Sequence, residues 1–175
     1  HDKHDEYPTD PSSVYGRLFF RARLAGVDQG ARALFYYQGE KDGKKPAMWA
    51  GQFATLIEDW PTDYPALERV YVFQIREGCN IQNDGLVEVQ RTLGAVYPIV
   101  SVMSTTAIPT HDICHYYNVG YHLIGDRIAR MVLRDLYGIP GAGIDPPQTV
   151  EARWETPSRD AVILRFLRGE ELRRI

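Results

Sequence analysis

An aspartate and a histidine stand three residues apart in this sequence, at Asp112 and His115, and their types and spacing suit acid–base chemistry. A hydrolytic serine needs a general base within hydrogen-bond reach, and histidine is the side chain most often used. An aspartate on the same tight loop can accept a hydrogen bond from the other ring nitrogen, which fixes the tautomer and stabilises the imidazolium. The pair is therefore a candidate acid and base for hydrolysis.

Helices and apolar strands alternate through most of the chain, and they must position this pair. Compact apolar runs predict buried strands at residues 31–37, 70–75 and 99–103. Apolar residues at helical spacing predict helices near residues 14–25, 49–60, 86–93 and 118–137. Pro61 is expected to close the second helix and Gly138 the last. The alternation predicts an α/β fold, a flavodoxin-like three-layer α/β/α arrangement with a mainly parallel sheet that is incomplete in this chain.

The composition changes after Pro140, where glycines and prolines predict a linker. Two strand-like pieces follow at residues 149–154 and 161–167, with no helix between them, and they are typical of the opening hairpin of a β domain that is cut short. The expected segments are a terminal linker or loop over residues 1–12 and the main domain over residues 13–140. A second linker over residues 141–148 and the opening strands over residues 149–175 follow.

Polar residues follow each predicted strand at its carboxyl end, the edge at which open parallel sheets bind ligands. Gln38, Gly39 and Glu40 follow the first strand, and Arg76 follows the second. The third strand leads to the loop with the aspartate–histidine pair. Because parallel strands end at the same edge, we expect these groups to converge on one site.

Three motifs stand in order along the chain: Tyr36-Tyr37-Gln38-Gly39-Glu40, then Gln90-Arg91 in a helix, then Asp112-x-x-His115 before the final long helix. Their order, spacing and position at strand ends resemble those of the SGNH hydrolases, and most closely the sialate O-acetylesterase-like carbohydrate esterases. The resemblance spans roughly residues 14–137. It implies hydrolysis of an acetylated carbohydrate without a cofactor, with Asp112 and His115 as the catalytic acid and histidine.

The resemblance also implies roles for the other residues at the strand ends. The side-chain amide of Gln38 can donate to the oxyanion of a tetrahedral intermediate, a contact whose loss costs ~10²–10³ in rate. Gly39, Glu40 and Arg76 fall in the same oxyanion and substrate region, where Glu40 is expected to anchor the loop. Lys41 departs from the pattern, since relatives often have serine or alanine at that position.

The serine nucleophile of this family, which follows the first strand in a G-(D/Q)-S-type motif, is missing from the sequence. None of the serines stands in such a motif; they are Ser12, Ser13, Ser101, Ser104 and Ser158. The expectation is a piece of a longer protein, truncated on both sides and inactive alone, to which the remainder of the parent polypeptide supplies the nucleophile.

Two alternatives remain open. The run His111-Asp112-x-x-His115 imitates the zinc motif H-E-x-x-H, with His122 as a third ligand, although Pro109 makes the first helical turn doubtful. A non-catalytic carbohydrate-binding or interaction module with an esterase-like fold, which has lost its nucleophile, would also fit.

Composition narrows the set of partners. The formal net charge of −3 and the pI near 6.0 give no electrostatic footprint for nucleic acid or an anionic membrane. No apolar run approaches the ~18–20 residues that a membrane span requires.

Cys79 and Cys114 are the two cysteines of the chain, and both are predicted to lie at the carboxyl edge of the sheet. Loops there can bring two cysteines within the ~4.4–6.8 Å between Cα atoms that a disulfide spans. Relatives in this esterase branch are commonly exported, which implies a secreted or periplasmic protein in which such a bridge persists. We predict a bridge that holds the Asp112–His115 loop in place.

Overall fold

A computed structural model of the chain describes residues 9–79, 84–140 and 145–167. The helices are α1 (Val14–Leu24), α2 (Pro46–Asp63), α3 (Asp84–Val96) and α4 (Asn118–Tyr137). The strands are β1 (Ala33–Tyr36), β2 (Arg69–Phe73), β3 (Val100–Met103), β4 (Thr149–Trp154) and β5 (Val162–Phe166). Among the described residues, no helix is both long and apolar enough to cross a membrane.

The strands β1, β2 and β3 form a parallel sheet in that order. The register pairs Tyr36 of β1 with Val72 of β2, and Phe73 of β2 with Met103 of β3. The carboxyl ends of the three strands therefore lie within about one residue of each other at one edge of the sheet. The segments that leave these strands start side by side, as the sequence predicts.

One face of this sheet carries the main hydrophobic core. Val70 and Val72 of β2 are fully buried there, against side chains from α1, α2 and α3. Trp49 and Phe53 of α2 stack with their ring centroids 5.0 Å apart, and Tyr36 at the end of β1 lies against both rings. Large aromatic side chains bury much apolar area each, so this cluster fixes α2 onto the sheet.

The opposite face of the sheet is covered by α4. Successive side chains of a strand point to opposite faces, so Tyr71 and Phe73 of β2 face away from the main core. The helix α4 packs against β2 and contributes buried Ile124 and Met131. Helices thus cover both faces of a parallel sheet, and the predicted α/β fold is confirmed.

The end of α2 differs from the prediction, because Pro61 lies inside the helix rather than closing it. In the last turn a proline removes only one backbone hydrogen bond. The turn is held by other contacts: the amide of Tyr64 donates to the carbonyl of Trp60 at 2.7 Å, and the hydroxyl of Tyr15 donates to the carboxylate of Asp63 at 2.6 Å. The helix therefore continues for two residues beyond the proline.

The strands β4 and β5 pair antiparallel in a second compact unit of the chain. Trp154 lies opposite Val162, and both side chains are half exposed on one apolar face. The other face carries charge, with Arg165 and Glu151 paired at 3.2 Å. This amphipathic hairpin fits the predicted opening of a β domain.

The division into four segments, with linkers over residues 1–12 and 141–148, stays a prediction. Residues 1–8, 141–144 and 168–175, on which parts of it fall, lie outside the described residues.

Candidate active site

Asp112 and His115 are hydrogen bonded to each other in a loop between β3 and α4. The Nδ1 of His115 lies 2.9 Å from Oδ2 and 3.1 Å from Oδ1 of Asp112. Both side chains are exposed to solvent. An Nδ1–H that donates to the carboxylate leaves Nε2 as the ring nitrogen that can accept a proton, which is the arrangement that base catalysis requires.

The backbone of the loop folds around the carboxylate of Asp112. Its Oδ1 accepts the amide hydrogens of Cys114 and His115, each at 2.7 Å. These two amides, and then the ring of His115, hold the pKa of Asp112 far below its usual range. The aspartate therefore stays ionised and anchors the loop at the same time.

This arrangement predicts that the loop resists acid. Because the pKa of Asp112 is lower in the folded than in the unfolded chain, its stabilisation is fully present above the ordinary pKa and is lost progressively as the pH falls from that value to the lowered one. We expect the amide protons of Cys114 and His115 to keep their exchange protection factors at about pH 4, near the ordinary pKa of an aspartate. Asp112→Asn should make these protection factors independent of pH, whereas loss near pH 4 in the unmodified chain would contradict the assignment.

The loop that follows β2 ties down the aspartate–histidine loop at two points. The Nη1 of Arg76 donates to the backbone carbonyl of Asp112. Cys79 and Cys114 form a disulfide, with their Cα atoms 4.6 Å apart. Arg76 thus contacts the backbone of the aspartate–histidine loop, whereas its expected place in the substrate region stays a prediction.

Gln38 is held by several hydrogen bonds at the end of β1. Its Oε1 accepts from Nε1 of Trp49 at 2.6 Å and from the hydroxyl of Tyr36 at 3.1 Å. Its Nε2 donates to Oδ2 of Asp42. One of the two amide hydrogens that could serve an oxyanion is therefore engaged with the protein itself. The hydrogen bonds orient the side chain of Gln38 and leave its second amide hydrogen available for an oxyanion.

Gln90 of α3 connects the ends of β1 and β2. The sequence pattern identified this residue only as part of the resemblance. Gln90 is fully buried. Its Oε1 accepts the amide hydrogen of Ile75 at 2.7 Å, and its Nε2 donates to the carbonyl of Gln38 at 3.1 Å. A glutamine at a core position of an amphipathic helix was the signal for such a role, because buried polar side chains are normally hydrogen bonded.

Gly39 is required by this packing. Its φ of +143° is a conformation that favours glycine, and a Cβ there would lie 3.1 Å from Nε2 of Gln90 and 3.1 Å from the side chain of Ile75. The Gln-Gly pair after β1 therefore has a structural reason: only glycine lets this backbone approach α3 so closely.

We predict that Gln90→Leu, which keeps the approximate side-chain volume, lowers the free energy of unfolding by about 2–4 kcal/mol, because the backbone groups of Ile75 and Gln38 lose their partner. Urea denaturation measures the change. Arg91→Gln is the matched control: this neighbour is partly exposed and pairs with Glu88 at 2.6 Å, a contact worth less than about 1 kcal/mol. Equal effects of the two substitutions would show that Gln90 does not connect the strands.

The serines of the chain serve other hydrogen bonds. Ser13 is buried and caps α1 by accepting the amide hydrogen of Gly16 at 2.8 Å. Ser101 donates to Oδ2 of Asp135 at 2.9 Å. Ser12, Ser104 and Ser158 contact side chains within two residues of themselves, at Asp10, Thr106 and Thr156. Each therefore has a local structural contact.

The geometry of the histidines does not match the zinc motif. That motif needs its histidines one turn apart on a helix, whereas residues 111–115 form a loop and α4 begins at Asn118. The amide of His111 instead donates to the carbonyl of His115 at 2.9 Å. Within the described part of the chain, no three His, Cys, Asp or Glu side chains are grouped so as to hold a metal ion.

The residues predicted at the strand ends thus form two connected groups. Asp112, His115, Arg76 and the disulfide form the first. Gln38, Gly39 and Gln90 form the second, and it is joined to the first through Ile75, which directly precedes Arg76.

Comparison with known proteins identifies the family. A search of curated proteins and a search of solved structures each found no match. The model of one protein family, described as carbohydrate esterase, sialic acid-specific acetylesterase, matches residues 3–134. That match covers more than half of the chain and includes both groups of site residues, so the chain belongs to this family of carbohydrate esterases.

Proposed function

We propose that this chain carries the acid–base part of a serine-type carbohydrate O-acetylesterase, with Asp112 and His115 as its catalytic pair. The observation that carries the proposal is the hydrogen bond of 2.9 Å between Nδ1 of His115 and the carboxylate of Asp112, at the carboxyl edge of a parallel sheet. The family match supports ester hydrolysis on an acetylated carbohydrate.

The reaction follows from the orientation of the imidazole. Nε2 of His115 removes the proton of a serine hydroxyl as that oxygen attacks the acetyl carbonyl. The tetrahedral intermediate collapses when His115 returns the proton to the departing sugar oxygen, and an acetyl-serine remains. Water then gives a proton to the same nitrogen and attacks the acetyl carbonyl, and His115 returns this proton to the serine oxygen as acetate leaves. Asp112 stabilises the imidazolium in both steps, and its strongly lowered pKa keeps it ionised throughout.

The end of β1 is proposed as the oxyanion site. Gln38 can donate its second amide hydrogen to the developing negative charge, and its bonds to Trp49 and Asp42 hold it in place before substrate arrives. Preorganised donors of this kind need no rearrangement at the moment of reaction. Glu40 is half-buried in the same loop, where an anchoring role fits its position better than a catalytic one.

The nucleophile is proposed to come from a part of the parent polypeptide outside this chain. The hydrogen bonds of the five serines support this proposal, since these contacts give each serine a structural role. Export to the periplasm or the cell exterior is proposed as well, because a disulfide beside the active site persists in an oxidising compartment.

Acetate release from an O-acetylated sialic acid tests the proposal. A polypeptide that joins this chain to the upstream sequence of its parent should hydrolyse the ester, whereas the chain alone should not. Hydrolysis by the isolated chain would place the nucleophile within it. No hydrolysis by the longer polypeptide, with binding of the sugar retained, would favour the non-catalytic carbohydrate-binding module.

A further inference from the structure

A cluster of tyrosines borders the aspartate–histidine loop, and the catalytic chemistry gives these residues no role. Tyr37 stands between the end of β1 and Gln38, Tyr116 and Tyr117 directly follow His115, and Tyr121 lies in the first turn of α4. Three of them expose much of their surface: Tyr37 is 39% exposed, Tyr121 48% and Tyr117 52%.

Contacts inside this cluster hold the rings in fixed orientations. Tyr116 is buried at its centre and meets Tyr121 edge-on, with ring centroids 5.6 Å apart. Tyr37 stacks on Phe73 of the sheet with centroids 5.5 Å apart. Tyr117 meets the ring of His111 edge-on at 5.4 Å. The exposed rings are therefore ordered before any ligand arrives, so binding to them costs little side-chain entropy.

The cluster is one continuous surface rather than four separate side chains. Tyr37 follows β1 and stacks on Phe73, the last residue of β2. It therefore lies at the sheet edge from which the segment with Tyr116 also starts, and Tyr116 contacts Tyr121. Burial raises the pKa of Tyr37, and the hydroxyls of Tyr116 and Tyr121 raise it further, in keeping with this proximity. Tyr117 and Tyr121 are one turn apart, with the amide of Tyr121 donating to the carbonyl of Tyr117 at 3.2 Å. Tyr117 is the N-cap of α4, so both residues lie at the start of this helix.

We propose that Tyr37, Tyr117 and Tyr121 form the platform on which the sugar ring of the ester substrate lies, next to His115. Tyrosine suits a pyranose because its ring packs against the apolar C–H face of the sugar while its hydroxyl bonds to sugar hydroxyls. The position also fits, since an ester oxygen on a sugar held there lies close to the base that must protonate it. This inference rests on the proposed function, which it deepens by assigning the residues that bind the carbohydrate.

The test is NMR titration of the 175-residue chain with O-acetylated sialic acid and with the unacetylated sugar. We expect saturable shifts at Tyr117 and Tyr121 with both sugars. Tyr121→Ala should weaken binding by about tenfold, whereas Tyr121→Phe, which keeps the ring, should stay within about threefold. Tyr137→Ala is the matched control: it removes an exposed tyrosine at the far end of the same helix, beside Arg32, and should leave binding unchanged.

Three results would overturn the platform. They are the absence of saturable binding by the unmodified chain, equal binding by the chain with Tyr121→Ala, and shifts confined to residues away from the cluster. The outcome is separate from that of the proposed function, because binding is measured without turnover. Sugar binding with no acetate release from the longer polypeptide would leave the platform standing and reject the esterase. Val119 and Leu123 are exposed on the same helix and could bind a protein partner instead. In that case the NMR signals should not shift with either sugar.

Discussion

We expect His115→Ala to lower kcat for acetate release by about 10⁴–10⁶-fold, when it is introduced into a polypeptide that joins this chain to its proposed nucleophile. In the proposed mechanism the imidazole takes the serine proton and returns it to the sugar oxygen, and alanine can do neither. Asp112→Asn should cost about 10⁴-fold, because an amide at this position favours the wrong tautomer of His115. KM should change much less than kcat in both variants, since neither side chain is assigned to sugar binding.

The control for this experiment is His122→Ala. His122 is an exposed histidine of α4 in the same part of the chain, outside the Asp112–His115 hydrogen bond. It was also the third ligand of the alternative zinc site, so its replacement separates the two mechanisms. Unchanged kcat in the His115 and Asp112 variants would reject the catalytic pair, and a large loss in the His122 variant would return the metal site to consideration.

The second large effect is expected from the disulfide. Replacing both Cys79 and Cys114 with serine should lower the free energy of unfolding by about 3–4 kcal/mol, because the bridge closes a loop with a sequence separation of 35 residues and so restricts the unfolded chain. Guanidinium denaturation at equilibrium measures the difference. The double substitution is preferable to either single one, since it leaves no unpaired thiol.

Reduction of the unmodified chain with a dithiol provides the control, as it should reproduce the loss without any change of sequence. The same reductant should have no effect on the double variant. Thiol titration of the unfolded, unreduced chain should detect no free thiol. Two free thiols, or a change in unfolding free energy below about 1 kcal/mol, would contradict a bridge that stabilises the folded chain.

Much of the fold followed from the sequence because the strands are short and nearly uniform in their apolar character. Only the central strand β2 is buried as expected, whereas β1 is partly exposed, with Phe35 52% exposed, since it lies at the edge of the sheet. Val70, Tyr71 and Val72 are fully buried from both faces, and a continuous apolar run is how such a strand appears in a sequence.

The end of α2 was harder to predict. Pro61 is a strong local signal against helix, but the hydroxyl of Tyr15, from α1, bonds to Asp63 and helps to hold the last turn. Tertiary contacts of this kind are invisible in local propensity.

The candidate site likewise has one part that could be predicted from the sequence and one that could not. Asp112 and His115 were predictable because the loop that joins them is local in sequence, and its hydrogen bonds span three residues. Gln90 connects groups 15 and 52 residues away, and nothing in its neighbours along the chain specifies those partners. Likewise the donors and acceptors around Gln38 come from β1, from α2 and from the loop before α2, so their effect on its amide depended on the folded structure.

The small glycine at the start of α4 limits how this enzyme could be altered. A Cβ at Gly120 would lie 2.6 Å from the carbonyl oxygen of Pro109 and 2.8 Å from Cβ of Tyr116. The helix therefore rests directly on the two ends of the loop that presents His115. Any larger residue at position 120 must push its Cβ against this loop, and the imidazole of His115 would move with it. If the proposed function holds, a directed-evolution experiment should find substitutions on the exposed side of α4 but none at position 120.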